Sequence, residues 1–118
     1  MTEVILCLDI GGTNCRLGLV DRENRIYGQR MTATAALAEQ GFMEGLVELL
    51  REYAGQHRKQ FQIRAVSLGF PSTIDRTRRH VLSTPNIPGL DNIPAADFLE
   101  ERLQMPVFLE RDVNMLLL

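Results

Sequence analysis

Asp9-Ile10-Gly11-Gly12-Thr13-Asn14 gathers a carboxylate, two glycines, a hydroxyl and a carboxamide in one short segment. Adjacent glycines let the backbone approach a bound group closely and point amide donors at it. Thr13 and Asn14 add side-chain donors. Asp9, at the end of an apolar run, can hold Mg2+ directly or through water, because that ion favours carboxylate oxygens. Together these groups suit the phosphate end of a metal–nucleotide complex. An ordinary glycine hairpin turn closed by Asp9 has the same spacing, and spacing alone leaves the two readings open.

A second carboxylate, Asp112, stands where a short strand gives way to the apolar run Val113 to Leu118. A residue at such a corner can cap the helix that follows, and it can also project into a cleft. The remaining chemistry-bearing residues invite less. His57 and His80 have no partner at metal-ligand spacing and read as surface histidines. The basic runs Arg76 to His80 and His57 to Lys59 are short and read as solvated loops. Cys7 and Cys15 fall inside strand-like segments and read as reduced, partly buried small hydrophobes.

The elements that must position these groups follow from periodicity. Val4 to Ile10 is rich in β-formers and predicts a buried strand, broken by Gly11 and Gly12. Arg16 to Val20 predicts a second strand. Asp21-Arg22-Glu23-Asn24 is a turn, and Arg25 to Met31 can return as a third strand, giving an antiparallel meander. The period then changes. Ala38, Phe42, Leu46, Leu49, Leu50 and Tyr53 predict one amphipathic helix from about Ala35 to Ala54, with Glu39, Glu44, Glu48 and Glu52 mostly off its apolar stripe. Ile63 to Phe70 predicts a fourth strand, parallel to the first after a helical crossover. Pro71 to Leu90 is loop-rich, with a short hairpin around Arg79 to Leu82. Pro94 to Leu103 predicts a helix that turns Phe98, Leu99 and Leu103 inward, and Pro106 to Leu109 a fifth strand.

The chain has 118 residues, 45% of them hydrophobic and 24% charged, with a formal charge of −2. That is one domain's worth of chain, which buries about two-thirds of its unfolded surface. No basic excess supports a nucleic-acid footprint. Nothing approaches the roughly 20 apolar residues of a membrane span. The first apolar run has no basic flank and no secretory character, so cytoplasm is the expected location. The element order predicts an α/β fold, a ribonuclease-H-like half-domain of the actin-like ATPase and hexokinase superfamily, with a mixed five-stranded sheet. A doubly wound nucleotide fold is the alternative, but neither G-x-G-x-x-G nor G-x-x-x-x-G-K-[ST] occurs.

Asp-x-Gly-Gly-Thr after an N-terminal strand resembles the first phosphate motif of the sugar kinase, heat-shock and actin superfamily. Further matches follow in order. Gly69-Phe70-Pro71 resembles the Gly-x-Pro segment of ROK sugar kinases. Ser83-Thr84-Pro85-Asn86-Ile87-Pro88-Gly89-Leu90 resembles their Thr-Pro-Asn-x-Pro-Gly segment. Pro106-Val107 and the strand to Leu109, followed by Glu110-Arg111-Asp112-Val113-Asn114, resemble their Pro-Val, strand, Asn-Asp-x-Asn segment. The resemblance runs along essentially the whole chain.

The resemblance implies an ATP-dependent hexose kinase with Mg2+, of which residues 1–118 form the N-terminal lobe. Asp9, Gly11, Gly12, Thr13 and Asn14 would meet the nucleotide phosphates and metal. Asp112 would be the general base. Ser72, Thr84, Asn86 and Arg111 would lie with Asp112 around the sugar, and Asn114 would support the Asp112 loop. The second lobe, with most adenosine contacts and the zinc site, would lie further along the chain, and the full-length protein would be a homodimer. Two departures bear on the sugar. Ser72 stands where family members commonly have glycine, and Arg111 where they have a sugar-contacting asparagine. Arginine accepts no hydrogen bond, so Arg111 cannot reproduce that contact. Phe70-Pro71-Ser72 with Glu110-Arg111-Asp112-Val113-Asn114 resembles the D-allose kinase branch. Two other classes of function compete. One is a sugar-sensing repressor, disfavoured because eight residues before Asp9 leave no room for a helix-turn-helix domain. The other is a non-catalytic sugar-binding or assembly module with the apolar end at Leu116 to Leu118 buried in a dimer.

Overall fold

Residues 1–39, 41–69, 73–74, 81–83 and 94–110 are described by the structure, a computed structural model. Strand β1 (Thr2–Ile10) includes the expected buried strand from Val4. Val4, Leu6, Leu8 and Ile10 are buried on one face, while Ile5 on the other is 43% exposed. β2 (Asn14–Val20) and β3 (Ile26–Ala33) complete the meander, antiparallel throughout. After helices α1 (Thr34–Leu37) and α2 (Phe42–His57), β4 (Phe61–Gly69) pairs parallel with β1. Helix α3 (Ala95–Leu103) precedes β7 (Val107–Glu110), which pairs parallel with β4. The sheet order is β3-β2-β1-β4-β7. A separate two-stranded pair joins β5 (Thr73–Ile74) to β6 (Val81–Ser83).

The expected mixed five-stranded sheet is therefore present, with β1 at its centre. The hairpin expected around Arg79 to Leu82 is a pairing of β5 with β6. The three helices share one core with the inward residues of the sheet, including Leu46, Leu50, Leu99 and Leu109. Leu46 is fully buried, and its truncation to alanine is worth about 2–5 kcal/mol. Leu99 faces inward as expected, while Phe98 and Leu103 are half-buried against that core. Tyr53 is also buried, and its hydroxyl donates to the Gly28 carbonyl at 2.6 Å, tying α2 to β3.

The single helix expected from Ala35 to Ala54 is two helices. α1 ends at Leu37 with Ala38 as its C-cap, and α2 starts after Gly41, whose φ of 96° favours glycine. The stripe from Phe42 to Tyr53 is buried as its period requires, but Ala38 lies past the end of α1 and is exposed. Periodicity counted Ala38 in because its spacing fits, and the backbone break is not written in apolar positions. Arg102 makes two 2.7 Å hydrogen bonds to Glu44 and so fastens α3 to α2. No described helix is long and apolar enough to cross a membrane.

Candidate functional site

Register places three strand ends in one row. Asp9 pairs with Gly69, and Gly69 pairs with Glu110, at the carboxyl ends of β1, β4 and β7. In sheets with parallel strands, ligands bind in the crevice outside those ends. The turn after β1 carries Gly11, Gly12 and Thr13. The chain leaves β4 three residues before Ser72, and leaves β7 two residues before Asp112. Ser72, Thr84, Asn86, Arg111, Asp112, Asn114 and His80 themselves lie outside the described residues.

The turn is held from inside. The Gly11 amide donates to the Asn14 carbonyl at 3.0 Å. A Cβ on Gly11 would sit 2.7 Å from that carbonyl oxygen, so the turn requires glycine there. Gly12 differs. Its φ is not in the left-handed region, and a Cβ there would meet open space. The fold alone does not demand glycine at position 12, whereas close approach by a ligand would.

Thr34, at the start of α1, is the buttress, a role that no sequence pattern announces. Its hydroxyl donates to the Gly11 carbonyl at 2.8 Å, and its amide donates to the Thr13 carbonyl at 2.9 Å. The Cys15 sulfur lies 3.3 Å from the same hydroxyl oxygen. Thr34 is buried, while Gly12, Thr13 and Asn14 are exposed. With the Gly11 and Thr13 carbonyls satisfied inward, the amides of Gly12 and Thr13 have no hydrogen-bond acceptor among the described residues. A lone threonine after a strand has no period and belongs to no motif, which is why sequence reasoning passed over it.

Asp9 is half-buried and has neither a hydrogen bond nor an ion pair among the described residues. Burial raises its carboxyl above the ordinary aspartate value, and the charge of Arg16, opposite it on β2, pulls the other way. A partly desolvated carboxylate of this kind gains from a cation beside it. A single carboxylate next to free backbone donors suits Mg2+, which takes one or two carboxylates, phosphate oxygens and water. Among the described residues no group of three or more His, Cys, Asp or Glu could enclose a metal by protein ligands alone.

Cys7 and Cys15 are free thiols but fully rather than partly buried. Burial pushes the Cys7 thiol up to about 11, so neither strand presents a ready thiolate. His57 is half-buried, its ring 4.6 Å from that of Tyr53 and 6.3 Å from that of Phe61, so it packs at a helix end instead of standing in solvent.

The five-stranded sheet, its one-sided helical layer and a glycine turn at the end of β1 define a ribonuclease-H-like half-domain of the hexokinase type. The chain belongs to the ROK family, whose model matches residues 5–118. It is 31% identical to a glucokinase of Thermotoga maritima over 93% of this chain and 34% of that protein. It is 30% identical to an N-acetyl-D-glucosamine kinase of Citrobacter koseri over 90% of this chain and 34% of that one. The crystal structure of a Streptomyces griseus ROK glucokinase in complex with glucose and AMPPNP superposes with a TM-score of 0.76 at 32% identity, covering 92% of this chain and 33% of the other. The chain thus spans about a third of the length of the relatives it matches.

Proposed function

We propose that these residues form the N-terminal, sugar-binding lobe of an ATP-dependent hexose kinase, a second lobe completing the cleft. The observation that supports it best is the row Asp9, Gly69, Glu110. It brings the turn, whose Gly12 and Thr13 amides have no acceptor among the described residues, to the strand ends from which the chain runs on to Ser72 and Asp112. Gly12, Thr13 and Asn14 would receive the nucleotide phosphates, and Asp9 the Mg2+ that accompanies them. When bound, that ion neutralises charge on the phosphates. Asp112 takes the proton of a sugar hydroxyl as its oxygen attacks the γ-phosphorus and ADP leaves. A neutral hydroxyl is a poor nucleophile, and a positioned base typically contributes about 10²–10⁴-fold. Thr84, Asn86, Ser72 and Arg111 would contact or shape the sugar site.

The sugar class is a hexose. The names of the relatives favour glucose or N-acetylglucosamine, whereas Ser72 and Arg111 favour an allose-like sugar. Zinc in the second lobe, a homodimeric full-length protein and a cytoplasmic location complete the reading. The test is ADP release by the full-length protein with Mg-ATP and a panel of allose, glucose, mannose, fructose, N-acetylglucosamine and N-acetylmannosamine. Asp112→Asn should lose on the order of 10²-fold or more. Sugar-dependent turnover that survives in this variant would remove Asp112 as the base. No turnover with any sugar, from folded protein that still binds one, would favour a sensor.

A further inference from the structure

Glycines at both positions 11 and 12 make the peptide unit between them easy to rotate. Turning that unit changes ψ of Gly11 and φ of Gly12, and glycine tolerates most values of either. A donor that must meet an anion in one direction gains nothing from such freedom, because ordering it on binding costs affinity. Something outside the turn has to fix the plane.

The peptide unit is trans and planar, so the Gly11 carbonyl and the Gly12 N–H point in opposite directions. The Thr34 hydroxyl holds that carbonyl from the buried side at 2.8 Å. The Gly12 N–H is thereby aimed away from Thr34. The next bond repeats the device. The Thr34 amide holds the Thr13 carbonyl at 2.9 Å, fixing the unit that leads into β2. The Thr34 oxygen has given its proton to Gly11, so the Cys15 contact at 3.3 Å is an S–H donated to Thr34. Burial, the largest influence on Cys15, keeps it a thiol and so able to donate.

We propose that Thr34 is the positioning residue of the nucleotide-phosphate turn, its hydroxyl setting the direction of the Gly12 amide donor through the shared peptide plane. It does not touch the nucleotide itself. The inference rests on the kinase reading above, and its test separates the two.

The experiment compares Thr34→Val and Thr34→Ser with wild type in the full-length protein, using calorimetric affinity for Mg-ADP, affinity for the preferred hexose, steady-state constants and melting temperature. Thr34→Val keeps the shape and the amide bond and removes only the hydroxyl. It should raise the Mg-ADP Kd and the ATP KM by about 10-fold, the effect of losing one well-aimed bond to a charged group. The hexose affinity should stay within about two-fold, because the sugar is held by other loops. Thr34→Ser, which restores the hydroxyl, should recover most of the nucleotide affinity. If Thr34→Val does not fold, Thr34→Ala replaces it in the same comparison. Unchanged nucleotide affinity in the hydroxyl-free variant would overturn the proposal, and so would nucleotide and sugar affinities falling together with the melting temperature. Wild-type protein that binds Mg-ADP but phosphorylates no hexose would sink the kinase reading and leave the Thr34 comparison readable from binding alone.

Discussion

Two aspartates sit at turns of the same meander and are treated in opposite ways. Asp21, between β2 and β3, is buried and surrounded by donors. It accepts from the amides of Glu23 and Arg25 at 2.9 Å each, from the Tyr27 hydroxyl at 2.8 Å and from Arg25 Nε at 3.2 Å. Asp9, at the β1–β2 turn, is half-buried with none of these among the described residues. The titration directions follow. Burial pushes both carboxyls up, but at Asp21 the Tyr27 hydroxyl, the two amides and the Arg25 charge outweigh it and hold the group below its ordinary value. At Asp9 burial prevails over Arg16. One turn satisfies its own carboxylate and closes. The other leaves its carboxylate and two amides without partners among the described residues.

Breaking the open turn should cost function far more than stability. Asp9→Ala in the full-length protein should lower kcat/KM for ATP by about 10²-fold, because a metal–phosphate contact is worth several kcal/mol in the transition state. Its melting temperature should match wild type within about 2 °C, since no described contact is lost. A variant that instead unfolds, with the activity of its folded fraction intact, would make Asp9 another Asp21.

The two glycines sharpen the comparison at a smaller scale. Gly12→Ala places a methyl in open space and at a φ that alanine adopts, so the fold should not change. The methyl stands where a phosphate would approach, and the nucleotide KM should rise by about 10-fold, the cost of a charged hydrogen bond. Gly11→Ala meets the Asn14 carbonyl at 2.7 Å and must move backbone, so it should lose nucleotide affinity and stability together. Equal effects from both variants, measured by KM and thermal melting, would mean that the turn has no outward ligand face.

Much of this was legible in the chain before any coordinates. The β-formers of Val4 to Ile10 predicted β1, and the parallel pairing of β4 with it followed from the helical crossover between them. The turn at Gly11 and Gly12 was visible from its glycine pair, but its spacing fits an ordinary hairpin equally well, and a phosphate role came from resemblance. What failed was of two kinds. The break at Gly41 lies in a backbone angle, and the apolar period runs across it from Ala38 to Phe42 without interruption. Thr34 acts through Gly11, 23 residues away in sequence, and Tyr27 through Asp21 across the β2–β3 turn, and neither side chain has a pattern that announces its partner. The roles proposed for Ser72, Thr84, Asn86, Arg111 and Asp112 came through resemblance, because such roles would depend on one shared substrate and not on local spacing.

The closed turn makes the gentlest prediction. Asp21 has a folded value below the ordinary 3.8 of an aspartate, so it binds a proton less readily folded than unfolded. Its contribution to stability is then fully present above that ordinary value and is lost as pH falls through the lowered one. Asp21→Asn removes the charge and keeps one oxygen for the two amides, while an NH2 replaces the oxygen that accepts from the Tyr27 hydroxyl and Arg25 Nε. It should lower the melting temperature at pH 7 by roughly 5 °C, the scale of losing part of one hydrogen-bond network in a domain of this size. The deficit should shrink as pH falls below about 3.8, where the unfolded chain begins to bind that proton, and on through the lowered folded value. Tyr27→Phe should reproduce part of the effect, and combining it with Asp21→Asn should add little, since the two share one bond. ATP and sugar KM values should be unchanged in both. A melting deficit that stays constant from pH 7 to pH 3 would show that the turn is held by packing of Arg25 and Tyr27, and the contrast with Asp9 would then be one of shape and not of charge.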